Sequence, residues 1–196
     1  MALSLPVTSW VLAPVTSLVV NSDSTTRVRA AIQDDLELLP AIQLAAGAAF
    51  RDIGMAAIAD SAPLSASALT AYQRAGHAWV AVTADDVPGG FIVVDLIDGR
   101  AHIEQVSVHP DHARRGVGRL LINHVDRWAA GQDIDALTLA TFRAVPWNGP
   151  YYARLGFRDM APAEITAGLA ALLNEEAAHG IDPAARVCMC RATTAP

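Results

Sequence analysis

The sequence contains no lysine: all 14 basic residues among its 196 are arginine, against 20 acidic ones, and the formal net charge is −6. A surface that coats nucleic acid needs a broad excess of cations, so that class of function is disfavoured. The missing lysine also removes the phosphate-binding lysine of a P-loop, and no G-x-G-x-x-G fingerprint of a dinucleotide fold occurs. Cysteine is nearly as scarce. Cys188 and Cys190 stand one residue apart in a strand-like run, too close for a disulfide framework, and read as reduced, small apolar residues on one strand face. No metal site is expected from them. The first 20 residues are apolar but lack any Lys or Arg and carry Pro6 and Pro14, which argues against a signal peptide or a membrane span.

What is present is a chain that is 53% hydrophobic, enough for one ordinary globular core. Residues 1–26 read as an apolar N-terminal extension ending in the polar linker "NSDSTT", and residues 27–196 as a single domain. The expected setting is cytoplasmic, with no membrane or nucleic-acid partner. Alternation predicts a strand at 27–32. Asp34 or Asp35 is placed to cap a helix running to Phe50, with Pro40 as a candidate early break. A second helix is expected from Ala62 to its stop at Gly76, and two strands, "HAWVAVT" and "GGFIVVDLI", flank a turn at 85–90.

The most informative stretch begins at Ala101. "HIEQVSV" alternates as a fourth strand, and "HPDHARRGVGRLL" turns into a helix whose apolar positions Val117, Leu120, Leu121, Val125 and Trp128 follow helical spacing. "ALTLATF" then reads as a fifth strand, so strand, helix and strand have the length of a parallel crossover. Helix N-termini leave backbone N–H groups unpaired and carry partial positive charge. Gly116 and Gly118 allow close approach, and arginine adds bidentate contacts, so the turn fits a phosphate or pyrophosphate. The spacing alone leaves open a plainer reading, in which the glycines only tighten a turn and the arginines are solvated.

The order of "HIEQVSVHP", "ARRGVG", an amphipathic helix, "ALTLATF" and "PWNGPYYARLGF" resembles the acetyl-CoA-binding core of the GNAT superfamily of N-acetyltransferases. The motif similarity is concentrated in 101–158. The resemblance implies an α/β fold: a mixed, mostly antiparallel central sheet with helices on both faces and a parallel strand–helix–strand core. It implies acetyl-CoA as co-substrate, no metal, and a primary amine of a small molecule, amino acid or peptide as acceptor, acetylated by direct attack in a ternary complex. Cofactor contacts fall on Val106, Ser107 and Val108 of the fourth strand, on Ala113, Arg114, Arg115, Gly116, Val117, Gly118 and Arg119 of the turn, and on Asn148. One departure is visible: Ala113 stands where the family motif has Gln or Arg, and Arg114 and Arg115 are placed to compensate.

Within "NGPYYARLGF", Asn148 is the expected cap, Pro150 lies in the first turn and Gly156 at the stop. The family tyrosine four residues before that glycine, which protonates the departing thiolate, corresponds to Tyr152. A phenol suits that task because its ordinary pKa near ~10 is close to that of a thiol. For the base that deprotonates the amine, Glu104 acting through water leads and His102 follows. Period-two alternation puts His102, Glu104 and Val106 on one face, with Gln105 and Ser107 on the other. Trp147, Tyr151 and residues 50–59 are expected at the acceptor pocket. Residues 161–185 read as a further helix before a last strand "RVCMCRA": a plain covering element first, with a share in the acceptor pocket or a homodimer contact as the alternatives. The competing class is a non-catalytic acyl-CoA-binding sensor or interaction module.

Overall fold

The computed structural model describes residues 26–194, so the apolar N-terminal segment lies outside the described residues. Thirteen α-helices and β-strands follow one another among the described residues: β1 (Arg27–Ala30), α1 (Leu39–Gly47), α2 (Ala56–Ala59), α3 (Ala66–Ala75), β2 (Ala78–Val82), β3 (Pro88–Ile97), β4 (Arg100–Val108), α4 (Val117–Ala130), β5 (Ala136–Phe142), α5 (Gly149–Arg154), β6 (Arg158–Asp159), α6 (Ala167–Ala178) and β7 (Arg186–Ala192). The strands form one sheet in the order β1-β2-β3-β4-β5-β7-β6. Every pairing is antiparallel except β4 with β5. That single parallel step is where α4 crosses over, as parallel strands require.

Helices cover both faces, because each face of a central sheet must bury its apolar side chains. On one face α4 sets Val117, Leu121, Ile122, Val125 and Ala129 against Trp79, Ile92, Val94, Ile103, Leu137 and Leu139. On the other, α1 and α3 cover Val80, Val82, Phe91 and Val93, while α6 covers Cys188 and Cys190 beside Met160. Between those two clusters the sheet carries polar residues, and that gap is where the site lies. The two thiols are free and buried, and burial pushes both above their ordinary range, which suits the apolar role the C-x-C spacing suggests.

The first helix differs from its sequence expectation. Residues Gln33–Asp35 form only a 3₁₀ turn, and α1 starts at Leu39 with Pro40 in its first turn, where a missing N–H costs nothing. Asp35 does not cap α1. Its carboxylate accepts the Ile32 N–H at 2.8 Å and pairs with Arg29 at 2.6 Å, so an ion pair with β1 has captured the residue that local propensity assigns to a cap. The second helix begins later than Ala62, at Ser65, whose hydroxyl accepts the Ala68 N–H, and ends at Gly76 with φ +74°. The 161–185 segment contributes α6 in its middle, with short 3₁₀ turns on either side.

Candidate active site

Two local features of β4 build the site. Asp98 and Gly99 both take positive φ in the tight β3–β4 turn, which fixes the register outward to Asp95 opposite His102. Past Val94, opposite Ile103, the next pair is Val93 with Gln105. Glu104 is therefore the extra residue of a β-bulge, a device that re-aims a side chain. The second feature is the partner strand. β5 pairs with β4 only from Ala101 with Leu137 to Ile103 with Leu139. Beyond that point the strands part, and their inner edges over 105–108 and 140–142 face a cleft.

The bulge overturns the simple alternation. Val106 and Val108 pack with Ala101 and Ile103 on the α4 face, so His102 lies on the opposite face from Val106, with Gln105 and Ser107 on its own side. His102 is 1% exposed and its Nδ1 lies 3.0 Å from the Thr138 hydroxyl. Burial first, then the nearby Arg186 cation, lowers its pKa to about 4. It is thus a neutral imidazole sealed from solvent, whereas Glu104 is exposed. A depressed pKa gives stability that is present above the unfolded value near ~6.5 and lost as pH falls towards the folded one. Chemical denaturation is expected to show a loss of about 3 kcal/mol between pH 6.5 and 4 from this residue. The His102→Gln variant removes that component, and identical pH dependence of the two proteins would contradict it.

Glu104 opens to solvent in the recess between the α3 and α6 sides of the sheet. Desolvation by the recess, followed by the like charges of Asp95 and Glu176, raises its pKa, and Arg186 opposes them. Asp95 is held by the Tyr72 hydroxyl at 2.9 Å. Arg186 is clamped by both Glu176 carboxylate oxygens and lies 4.9 Å from the Phe142 ring centroid. Neither Asp95 nor Tyr72 is suggested by a motif, although counting outward from the Asp-Gly turn places Asp95 beside His102. Along the same recess Phe50 meets both Trp147 and Phe142 edge-on at 5.6 Å, joining two of the expected acceptor-pocket segments. Tyr151 is not among them.

At the other end of the cleft β4 runs through Pro110 into the Arg-Gly turn. Arg114 and Gly116 both take positive φ, at 60° and 81°, and Gly116 stands at the N-cap of α4 with no side-chain cap. The first N–H of this helix to find an acceptor is that of Leu120, on the Gly116 carbonyl. Among the described residues, the N–H groups from Arg114 to Arg119 have none, and the arginine side chains there are exposed. This is a cluster of unpaired amides at the positive end of a 14-residue helix. Gly118 has a further use: a Cβ there would come within 2.8 Å of the Tyr151 hydroxyl. Tyr151 therefore reaches the turn and not the recess around Glu104.

α5 follows from close packing. A Cβ on Gly149 would lie 2.5 Å from the Arg143 carbonyl oxygen, so glycine lets the helix start directly on the end of β5. Asn148 occupies the N-cap position but does not cap with its side chain; its amide donates to the Thr141 hydroxyl at 2.8 Å and ties α5 to the parted end of β5. Tyr152 is half-buried, edge-on to Tyr151 at 5.4 Å and to Phe157 at 5.8 Å. Its hydroxyl makes no hydrogen bond among the described residues, and burial pushes its pKa well above the ordinary phenol value. No cluster of metal-ligating side chains occurs among the described residues, and none of their helices is long and apolar enough to cross a membrane.

The chain has known relatives in sequence and in fold. The family model of the acetyltransferase (GNAT) family matches residues 48–157, more than half of the chain, and the chain belongs to that family. Its fold is similar to that of a GNAT-family acetyltransferase from Staphylococcus aureus, with a TM-score of 0.64 and 13% identity over 86% of this chain and 99% of that one. It is also similar to the PaiA N-acetyltransferase from Thermoplasma acidophilum in complex with coenzyme A, with a TM-score of 0.58 and 15% identity over 86% and 99%. A third similar structure is N-acetylglutamate synthase from Neisseria gonorrhoeae with coenzyme A and N-acetyl-glutamate. There the TM-score is 0.64 and the identity 16%, over 88% of this chain and 36% of that one. At these identities the likeness is one of fold. Acetyl transfer is the activity of the family.

Proposed function

We propose that this protein is an acetyl-CoA-dependent N-acetyltransferase acting on a primary amine of a small molecule, amino acid or peptide. One observation carries the reading: the unpaired edges of β4 and β5 form a slot that ends at the unpaired amides of α4. An extended chain with its own amide groups can add to such an edge, and a pyrophosphate fits the helix N-terminus. Coenzyme A has both parts in that order. Val106, Ser107 and Val108 supply the strand edge; Gly116, Val117, Gly118 and Arg119 supply the amides. Ala113 contributes no side-chain donor, while Arg114 and Arg115 stand beside the same amides with free guanidinium groups. Asn148 acts indirectly, by holding α5 on β5.

Acetyl-CoA supplies the acetyl group as a thioester. Glu104, through water, takes a proton from the acceptor ammonium so that its nitrogen can form the new amide bond. A β4 backbone N–H beside Val106 polarises the acyl oxygen. Tyr152 gives its proton to the sulfur as the carbon–sulfur bond breaks, and the proton that the new amide nitrogen sheds restores the phenol. A phenol held above its ordinary pKa stays protonated through neutral pH, as a donor must. Cys188 and Cys190 are buried beneath α6, and direct transfer needs no thiol nucleophile.

The raised Glu104 pKa gives this reading a pH signature. Plotted against pH, kcat/KM is expected to rise through a limb lying above the ordinary carboxylate range, as Glu104 loses its proton. Glu104→Gln is expected to lower kcat about 100-fold and remove that limb. A retained limb in the variant would take Glu104 out of the base role.

A further inference from the structure

The buried ion pair between α4 and β7 is unused by the chemistry above. Arg191 of β7 lies 3.1 Å from Asp126 of α4, with the two side chains only 15% and 7% exposed. The contact lacks hydrogen-bond alignment, so Asp126 Oδ1 and Arg191 Nε and Nη2 have no hydrogen-bond partner among the described residues. Thr194 donates to the other Asp126 oxygen. A pair buried with such geometry recovers little of its desolvation cost, and apolar replacements of similar volume often leave stability unchanged or improved. Stability alone is a poor reason for placing it there.

The remaining contacts of Arg191 supply another reason. Its Nη1 donates to the Leu155 carbonyl at 2.8 Å, satisfying an orphan acceptor at the end of α5. Its guanidinium lies 5.0 Å from the Phe157 ring centroid, and that ring stands edge-on against Tyr152. Its stem passes within van der Waals distance of Gly156, 3.4 Å from where a Cβ would be. One guanidinium thus touches the helix that carries Tyr152, the ring packed on Tyr152, and the helix whose first turn offers the amides. α5 has only six residues, too few to hold its own orientation.

We propose that Arg191, paired with Asp126, is a positioning residue that fixes the Tyr152 hydroxyl relative to the α4 amides. It touches no reacting atom. The inference rests on the acid role given to Tyr152, and the experiment separates the two.

The test is a double-mutant cycle between the apolar replacement Asp126→Leu/Arg191→Met and Tyr152→Phe, made in the full chain. Thermal unfolding and calorimetric coenzyme A affinity are measured alongside kcat and KM. The apolar pair is expected to fold and to bind coenzyme A like the unsubstituted protein, with kcat lowered roughly 10- to 100-fold and KM for acetyl-CoA little changed, the size of loss that a small misplacement causes. In the Tyr152→Phe background the same pair is expected to cost almost nothing further, since it acts through the missing hydroxyl. An equal loss in both backgrounds, or an unchanged kcat in the first, overturns the proposal. If the apolar pair does not fold, Arg191→Lys takes its place in the cycle: it keeps a charge for Asp126 but lacks the planar fork that reaches Leu155 as well. A kcat unaffected by Tyr152→Phe alone removes the acid role and this inference together, whereas a Tyr152 effect without coupling removes only the inference.

Discussion

Gly118→Asp is expected to abolish measurable coenzyme A binding, weakening it about 1,000-fold, while leaving the protein folded. Two unit charges about 4 Å apart near a protein surface repel by about 4 kcal/mol, which converts to a factor of that size in Kd. The new carboxylate stands in the first turn of α4, among the amides that otherwise meet the pyrophosphate. Folding is spared for two reasons. An acidic residue in the first turn favours the helix dipole, and the atom that the new Cβ meets is the hydroxyl end of Tyr151, a side chain that can move. Calorimetry with coenzyme A, beside a melting curve, measures both parts. Gly118→Ala separates charge from volume, since it displaces Tyr151 without adding an anion. Unchanged affinity in the Asp variant would remove the turn from the cofactor site.

Tyr152→Phe is expected to lower kcat about 1,000-fold and leave the affinity for coenzyme A unaltered, within the range general acids contribute. Its hydroxyl has no hydrogen-bond partner among the described residues, so deleting it orphans no other group and little stability is lost. The phenyl ring keeps its edge contacts with Tyr151 and Phe157. Pre-steady-state kinetics place the loss: with the acid gone, the slowed step is the acyl transfer itself, and no burst of thiol precedes turnover. A better leaving thiol in the acyl donor is expected to restore part of the rate. Wild-type turnover in the Phe variant would make Tyr152 a packing residue.

What the sequence made legible and what it hid divide along a physical line. The amphipathic period of α4, the Gly stop of α3 and the apolar runs of β2 to β5 are local patterns, and each became the expected element. The amide cluster was legible for the same reason, because a helix start after an Arg-Gly turn exposes N–H groups whatever the rest of the chain does. The face of His102 was not, because period two holds only in an unbroken strand and the bulge at Glu104 is set by pairing with β3. Neither Asp35 nor Asn148 caps with its side chain, because each is taken by a partner on the preceding strand, six and seven residues earlier: Arg29 of β1 for one, Thr141 of β5 for the other. Tyr151 is expected at the acceptor side from the family resemblance of the later loops, whereas its hydroxyl lies beside Gly118 at the turn. Arg191 and Asp126 are 65 positions apart on different elements, and no spacing rule joins them.

The acceptor recess shows how far side-chain chemistry reaches. Glu104 feels the like charges of Asp95 and Glu176 and the opposing one of Arg186, whose charge is already taken by Glu176. Phe50 and Trp147 form an apolar wall near the same place. For the proposed primary-amine acceptor, the panel in the decisive assay is best drawn from amines that differ in the apolar group next to the nitrogen.

That assay is a calorimetric titration of the purified protein with acetyl-CoA, followed in the same sample by thiol release against a series of small amines, amino acids and peptides. Stoichiometric binding, followed by thiol release that depends on an added amine, is the result expected of an N-acetyltransferase built on this site. Binding without release for any amine would leave only an acyl-CoA sensor, and an absence of binding would contradict the central claim that the parted strands and the amides of α4 hold coenzyme A.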